Sequence, residues 1–224
     1  MSTTLTIHHL RKSQSERVVW LCEELGISYN LECHDRVPPA MLAPESIRRL
    51  HWSGTAPVIQ DGDITLAESG AIFEYILAKY GNGKLVLGPT HPKYADYLLW
   101  LHQANGTYMP AVTSVMLGRM KGDDDESPTQ KVMQNRANAN LQAMEKQLGT
   151  SAYLAGDELT AADCMSVFGL TTFRLFIPSD LTEYPNIVAW LQRVGQREAY
   201  KRAMQKGEPG LEPILAAVPQ PLAQ

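Results

Sequence analysis

Cysteine is scarce in this chain. Cys22, Cys33 and Cys164 are three in 224 residues, widely spaced and without a Cys-x-x-Cys pair. That excludes a disulfide-stapled scaffold and a thiolate zinc site, no metal is expected, and a reducing, cytoplasmic location fits. Charge of one sign is equally lacking, with 20 Lys and Arg against 24 Asp and Glu for a formal net charge of -4. Nothing therefore marks a nucleic-acid or anionic-membrane partner. No window reaches the roughly eighteen apolar residues of a membrane span. Met1 to Arg11 lacks the basic stretch and apolar core of a signal peptide, so the mature protein is expected to be the whole chain. Internal repeats and low-complexity tracts are missing too. What is present, 44% hydrophobic and 20% charged residues, is the composition of a globular chain long enough to bury a core without staples.

Hydrophobic periodicity divides the chain in two. Leu5 and Ile7 alternate with Thr4 and Thr6, which predicts a strand, and a polar loop with two serines follows. Val18, Leu21, Cys22 and Leu25 then fall on one helix face that Gly26 ends, and Tyr29, Leu31 and Cys33 alternate again. This is a βαβ unit with a parallel strand pair. An irregular stretch over 38–54 holds one helical turn near Glu45 to Leu50. Pro57 to Ile59, Asp61-Gly62 and Ile64 to Ala67 then read as a β-hairpin, and a helix follows Glu68-Ser69-Gly70 with Ile72, Tyr75, Ile76 and Lys79 on one face. Gly and Pro crowd the next ten residues. Beyond them only helical spacings occur: Tyr94, Tyr97, Leu98 and Leu101; Ala137, Leu141, Met144 and Leu148; Ile187, Trp190, Leu191 and Val194. The expected fold is α/β plus all-α: a βαβ-ββα domain over 1–81, a linker over 82–91 and an all-helical domain over 92–224. Trp100, Phe168, Leu170 and Trp190 are expected in the core. Asp123 to Glu126 is expected to be a solvated loop, and the tail from Pro209 to wrap the surface.

Four elements carry chemistry. They are the loop Leu10-Arg11-Lys12-Ser13-Gln14-Ser15-Glu16-Arg17, then Gly54-Thr55-Ala56-Pro57-Val58, then Leu66-Ala67-Glu68-Ser69-Gly70-Ala71-Ile72, and Leu159-Thr160-Ala161-Ala162-Asp163. Glu68-Ser69 sits where a strand passes into a helix, so free amides and the positive end of the helix dipole face a carboxylate; read without a ligand, Ser69 is an N-cap. Thr160 and Asp163 make a capping box whose acid is Asp rather than Glu, which nucleates a buried helix. In this order and spacing the four elements resemble the cytosolic glutathione S-transferase family, serine-type and similar to its bacterial and fungal members, over essentially the whole chain.

The resemblance implies a thioredoxin-like first domain that binds glutathione through Thr55, Ala56, Pro57, Glu68 and Ser69, with the Ala56-Pro57 bond cis. It implies that Ser13, or alternatively Ser15, donates to the glutathione sulfur. A thiol has a pKa of roughly 8.5, so thiolate is scarce at neutral pH until a hydroxyl and helix-terminal amides favour it. Ser13 leads because it lies four residues before Arg17, and Ser15 is expected to cap the first helix. With neither cysteine nor tyrosine in that loop, the cysteine-type reductases are the poorer match. Thr55 stands where relatives carry a base for the glycine carboxylate, with Arg36 and Arg11 as substitutes, and Trp52 where a proline is frequent. Tyr108, Met109, Val112 and Met116 are expected to line the pocket for an apolar electrophile, lying between the domains. The implied activity is glutathione transfer in detoxification, by a homodimer without metal. A glutathione-dependent peroxidase, disulfide reductase or isomerase and a non-catalytic ligandin-like protein are the alternatives.

Overall fold

A computed structural model describes residues 4–39 and 41–219. It divides into two compact units: the chain through Val86 together with Gly195–Pro213, and Leu87–Val194 with the chain from Ile214 onward.

The first unit is built from β1 (Leu5–Leu10), α1 (Glu16–Leu25), β2 (Tyr29–His34), α2 (Glu45–Arg48), β3 (Val58–Asp61), β4 (Ile64–Ala67) and α3 (Ser69–Tyr80). The sheet order is β2-β1-β3-β4, with β1 and β2 parallel and the other neighbours antiparallel. This is the thioredoxin-like mixed sheet. Ile7, Ile59, Val18, Leu21, Ile72 and Phe73 are fully buried and form its core. Gly26, in the left-handed region at φ 70°, returns its N–H to Cys22 O and ends α1.

The expected face of α3 is only half apolar. Ile72 and Ile76 are buried, whereas Tyr75 and Lys79 turn to Asp61 at the end of β3, with Tyr75 Oη at 2.8 Å and Lys79 Nζ and Tyr80 Oη each at 2.6 Å. Burial alone raises the Asp61 pKa, but these three donors outweigh it and hold the carboxyl below its ordinary value.

A helix that the sequence reading did not single out, α9 (Glu198–Gly207), returns to this unit and packs on α1. Ala199, Tyr200, Ala203 and Met204 are buried, and the Tyr200 ring meets Trp20 edge-on at 5.1 Å. Charge fixes its position. Arg197 grips Glu24 with two bonds of 2.6 and 2.8 Å, while Arg202 (2.8 Å) and Lys206 both bind Glu23.

Among the described residues of the second unit, the regular elements are all helical. It comprises α4 (Tyr94–Gln103), a π-helical stretch (Ala104–Tyr108), α5 (Met109–Lys121), α6 (Pro128–Leu148), α7 (Ala161–Leu170), a 3-10 turn (Thr172–Leu175) and α8 (Pro185–Gly195). Every residue of α7 is buried, as are Trp100 and Trp190. The capping box is formed, and Asp163 does more than cap. Its carboxylate accepts Thr160 N and Leu154 N at 3.0 Å and Trp190 Nε1 at 2.9 Å, tying α7 to α8 and to the preceding loop. The acidic run is a loop in which Arg119 holds Asp125. The tail returns along this unit, where Arg174 donates to the carbonyls of Ala216 (2.8 Å) and Ala217; the expected wrapping beyond residue 219 lies outside the described residues.

Glu23 provides a test of how α9 is held. Burial raises its pKa, but donation from Lys206, Tyr29 and Arg202 outweighs this and lowers it. A depressed carboxyl stabilises the fold above its unfolded pKa, and that contribution disappears as pH falls through the folded value. Glu23→Gln should therefore cost about 1 to 2 kcal/mol at neutral pH by urea denaturation. The two proteins should converge only as pH falls through the depressed folded value, below the ordinary glutamate range.

Candidate functional site

Strand register brings three of the four chemistry-bearing elements together. His8 of β1 pairs with Val58 of β3, and Val58 pairs with Ala67 of β4. The loop after β1, the residues before β3 and those after β4 therefore meet at one end of the sheet. These segments contain Ser13, Ala56-Pro57 and Glu68-Ser69.

The loop after β1 holds a buried file of hydrogen-bonding groups. Ser13 Oγ lies 2.7 Å from Ser15 Oγ, which lies 2.8 Å from His9 Nδ1, and His9 Nε2 lies 3.1 Å from Glu208 Oε1. Glu208 follows α9 and also accepts Lys12 N–H. Its carboxylate has no proton to give, so His9 Nε2–H donates to it and Nδ1 is left as an acceptor. Ser15 then shares its one proton between His9 Nδ1 and Leu10 O (3.1 Å) and accepts from Leu10 N at 3.0 Å, while Ser15 N–H donates to Ser13 Oγ at 3.2 Å. Ser13 is consequently the donor in its contact with Ser15, and its proton points inward along the file until another acceptor replaces that bond. It keeps 6% of its surface exposed, whereas Ser15 is fully buried.

Ser15 corrects an expectation. It occupies the N-cap position of α1, yet no side-chain bond caps the helix; its hydroxyl is committed to Leu10, His9 and Ser13, and its carbonyl accepts from Val18 and Val19. Behind this loop Arg17 is fully buried, and burial lowers its pKa to about 9. His9 and Glu208 escaped the sequence reading because they are 199 residues apart.

Ala56-Pro57 is cis, as the resemblance implied, and so is Pro38-Pro39, which nothing in the spacing announced. Thr55 is exposed, its Oγ1 donating to Ser53 Oγ at 3.2 Å. Ser69 is the buried first residue of α3 rather than its N-cap, which is Glu68, and no side chain caps this helix. Glu68 is exposed and has φ 73°, ψ 115°. A side-chain-bearing residue in such a conformation costs about 1 to 3 kcal/mol and is concentrated at functional positions.

Both arginines considered for the glycine carboxylate have other partners. Arg36 donates to the carbonyls of Arg11, Lys12 and Met41, and Arg11 pairs with Asp35 and donates to Gly207 O. The side-chain stem of Arg48 passes 3.9 Å from where a Cβ on Gly54 would sit. Trp52 is 91% exposed with His51 beside its ring.

The second unit contains a cavity of about 370 Å³ lined by Tyr108, Val112, Val115, Leu141, Phe173 and Tyr184 among others. Of the four expected pocket residues, Tyr108 and Val112 line it. Met109 is buried against Phe168 and Phe173, and Met116 packs on that cluster. Burial raises the Tyr108 pKa above the ordinary phenol range and keeps the hydroxyl protonated.

Comparison with known proteins agrees with this geometry. Residues 13–79 match the family model for the glutathione S-transferase N-terminal domain and residues 107–198 the one for the C-terminal domain. Glutathione S-transferase 1 of Triticum aestivum is 30% identical over 90% of this chain and 93% of its own length. The chain belongs to the glutathione S-transferase family. A solved glutathione S-transferase from Actinobacillus pleuropneumoniae is 29% identical, with a TM-score of 0.84 over 93% of this chain and 95% of that one. A glutathione transferase of Phanerochaete chrysosporium solved with oxidized glutathione shares the fold at 20% identity, with a TM-score of 0.74 over 92% and 96% of the two chains. The protein is a glutathione S-transferase, an enzyme of a family whose substrate is glutathione. No helix among its described residues is long and apolar enough to cross a membrane.

The strained backbone at Glu68 separates stability from binding. Glu68→Gly relieves the positive φ and should leave the melting temperature equal or higher, because the relief offsets the glycine's extra entropy in the unfolded chain. The same change removes the side chain, and glutathione affinity by calorimetry should fall about tenfold.

Proposed function

We propose that this transferase activates glutathione by donation from Ser13 to the sulfur and delivers the thiolate to an electrophilic carbon of an apolar substrate. The observation that supports the reading is the buried file Glu208, His9, Ser15, Ser13, whose outermost hydroxyl, Ser13, keeps some exposure and can turn its proton from Ser15 to an entering sulfur. A hydroxyl donating to sulfur stabilises thiolate over thiol, and a bond to the ion is roughly twice as strong as a neutral one. His9, Glu208 and Ser15 are positioning residues: they hold the Ser13 side chain in the loop and do not touch sulfur.

Ala56 offers its backbone N–H and C=O to the cysteinyl part of the tripeptide as an added strand would, with Thr55 and Pro57 framing it. The Ser69 hydroxyl and amide take the γ-glutamyl carboxylate at the start of α3, and Glu68 takes the ammonium. No unengaged arginine replaces the missing base at Thr55: Arg11 and Arg36 have other partners, and Arg48, beside Gly54, is paired with Glu45 at 3.0 Å. Tyr108 and Val112 contribute to the electrophile pocket, with Met109 and Met116 supporting it from behind. No cysteine enters the loop, which favours transfer over disulfide reduction. The free thiols support a cytoplasmic location.

Ser13→Ala should raise the pKa of bound glutathione, read from thiolate ultraviolet absorbance, and lower conjugation with an aromatic halide about ten- to a hundredfold at pH 6.5 to 7, each pKa unit being worth about 1.4 kcal/mol. Glutathione affinity should change far less. Ser15→Ala should move the same pKa by a smaller amount, again at nearly constant affinity, because it removes a partner that places Ser13 and not the donor to sulfur. An unshifted thiol pKa in Ser13→Ala would move the activation to backbone amides. Activity toward an organic hydroperoxide exceeding that toward the halide would favour the peroxidase alternative.

The homodimer is proposed with α3 and α4 as contact elements, supported by Leu99 of α4, which is 58% exposed. Sedimentation at micromolar concentration should give about twice the 24.9 kDa chain mass. A monomer mass rejects the assembly.

A further inference from the structure

β1 and β2 bring three metal-ligating side chains together on the opposite face of the sheet from His9. Register pairs His8 with Glu32 and Leu10 with His34, and successive strand residues alternate faces, so His8, Glu32 and His34 share one face. His8 Nδ1 lies 3.4 Å from His34 Nε2 and 3.3 Å from Glu32 Oε2. The ring nitrogens turned away from this point are already engaged. His8 Nε2 is 2.9 Å from Gln60 Oε1, and His34 Nδ1 is 2.9 Å from Ser46 Oγ on α2.

Those outer partners are compatible with tautomers that free the inner nitrogens. Gln60 Oε1 only accepts, so His8 Nε2 carries the proton and Nδ1 presents a lone pair. Ser46 Oγ can accept from His34 Nδ1–H, and in that tautomer His34 Nε2 presents a lone pair as well. Two lone pairs and a carboxylate oxygen then converge, and a cation can take the place of the His34–His8 hydrogen bond. Holding each imidazole through its second nitrogen is how proteins orient histidine ligands.

The spacing fits one class of ion. Zinc holds nitrogen and oxygen donors at about 2.0 to 2.1 Å, and tetrahedral angles put such donors about 3.3 to 3.4 Å apart. Both measured edges at His8 agree with this. All three donor atoms lie within 4.8 Å of one another, and Glu32, with its side chain 59% exposed, is free to close the remaining edge. We propose that His8, Glu32 and His34 form a binding site for one divalent transition-metal ion of the zinc type, its fourth position open to water. The site is independent of the glutathione chemistry and revises the expectation of no metal. That expectation rested on cysteine spacing, which says nothing of two histidines and a glutamate on neighbouring strands.

The test is titration calorimetry of zinc chloride into tag-free, chelator-treated full-length protein, with cobalt(II) substitution read by visible absorption. One ion per chain should bind with a dissociation constant of about 1 μM or tighter, and cobalt should show tetrahedral bands. His34→Ala and Glu32→Gln, which alter half-buried and exposed side chains at little risk to folding, should each weaken binding about tenfold or more. Cys33→Ser, removing the exposed thiol between them in sequence, should leave it unchanged. Absence of saturable binding, binding that survives both His34→Ala and Glu32→Gln, or binding lost in Cys33→Ser would overturn the site.

Discussion

The geometry of the loop that follows β1 depends on one buried carboxylate. Glu208 accepts from the backbone of Lys12 and from His9 Nε2. Lys12 has φ 56°, a conformation unfavourable for a side-chain-bearing residue, and a charge-assisted bond to its N–H offsets that cost. Gly207, the residue before Glu208, gives the ring room: a Cβ there would lie 3.1 Å from His9 Nε2, and the imidazole would have to shift by a few tenths of an ångström. Glu208 can serve only if α9 is fixed, and α9 is fixed by Glu23 and Glu24 of α1. Acids on one helix therefore hold the helix that presents the acid on which the serine file rests.

That dependence explains what could be read in the sequence and what could not. β1, β2 and the hairpin were legible because their alternation is local, and so was α1, closed by Gly26. The Ala56-Pro57 and Glu68-Ser69 segments were legible because strand and helix boundaries lie at fixed distances from turn residues. α9 was not. Its buried residues Ala199, Tyr200, Ala203 and Met204 do fall at helical spacing, but they lie in a stretch dense with Lys, Arg, Glu and Gln, and no local signal says that this face packs on α1. Without α9 there was no Glu208, and without Glu208 no reason to look at His9. Ser15 was misjudged for the same cause: the local rule that a serine before a helix caps it lost to a tertiary partner, His9 Nδ1 at 2.8 Å.

In the second unit the reading erred in depth rather than direction. Helical spacing placed Tyr108, Met109, Val112 and Met116 in one stretch, but spacing assigns a face and not how far that face is buried. Met109 turned out to be core, against Phe168 and Phe173, while Tyr108 and Val112 reach the cavity. The π-helical stretch Ala104–Tyr108 shifts the phase between α4 and α5, which a single 3.6-residue period does not anticipate. Asp163 shows the opposite case. Its capping role was visible three residues from Thr160, and its bonds to Leu154 and Trp190 extend that local motif into the packing of the whole unit.

His8 and His9 show how much chemistry the two-residue period of a strand can separate. They are adjacent in sequence, yet one faces Gln60, Glu32 and His34 and the other Ser15 and Glu208. A slip of one residue in β1 would exchange them, placing each imidazole among the other's partners. Burial of Leu5 and Ile7 on the His9 face opposes such a slip, because it would turn both toward the side of α2. Pairing to β2 on one side and β3 on the other opposes it again, since both ladders would have to shift together. The apolar residues at the start of β1 thus determine which histidine supports the serines and which joins Glu32 and His34. The polar chemistry on both faces of the sheet is set by the same hydrophobic alternation that makes β1 a strand.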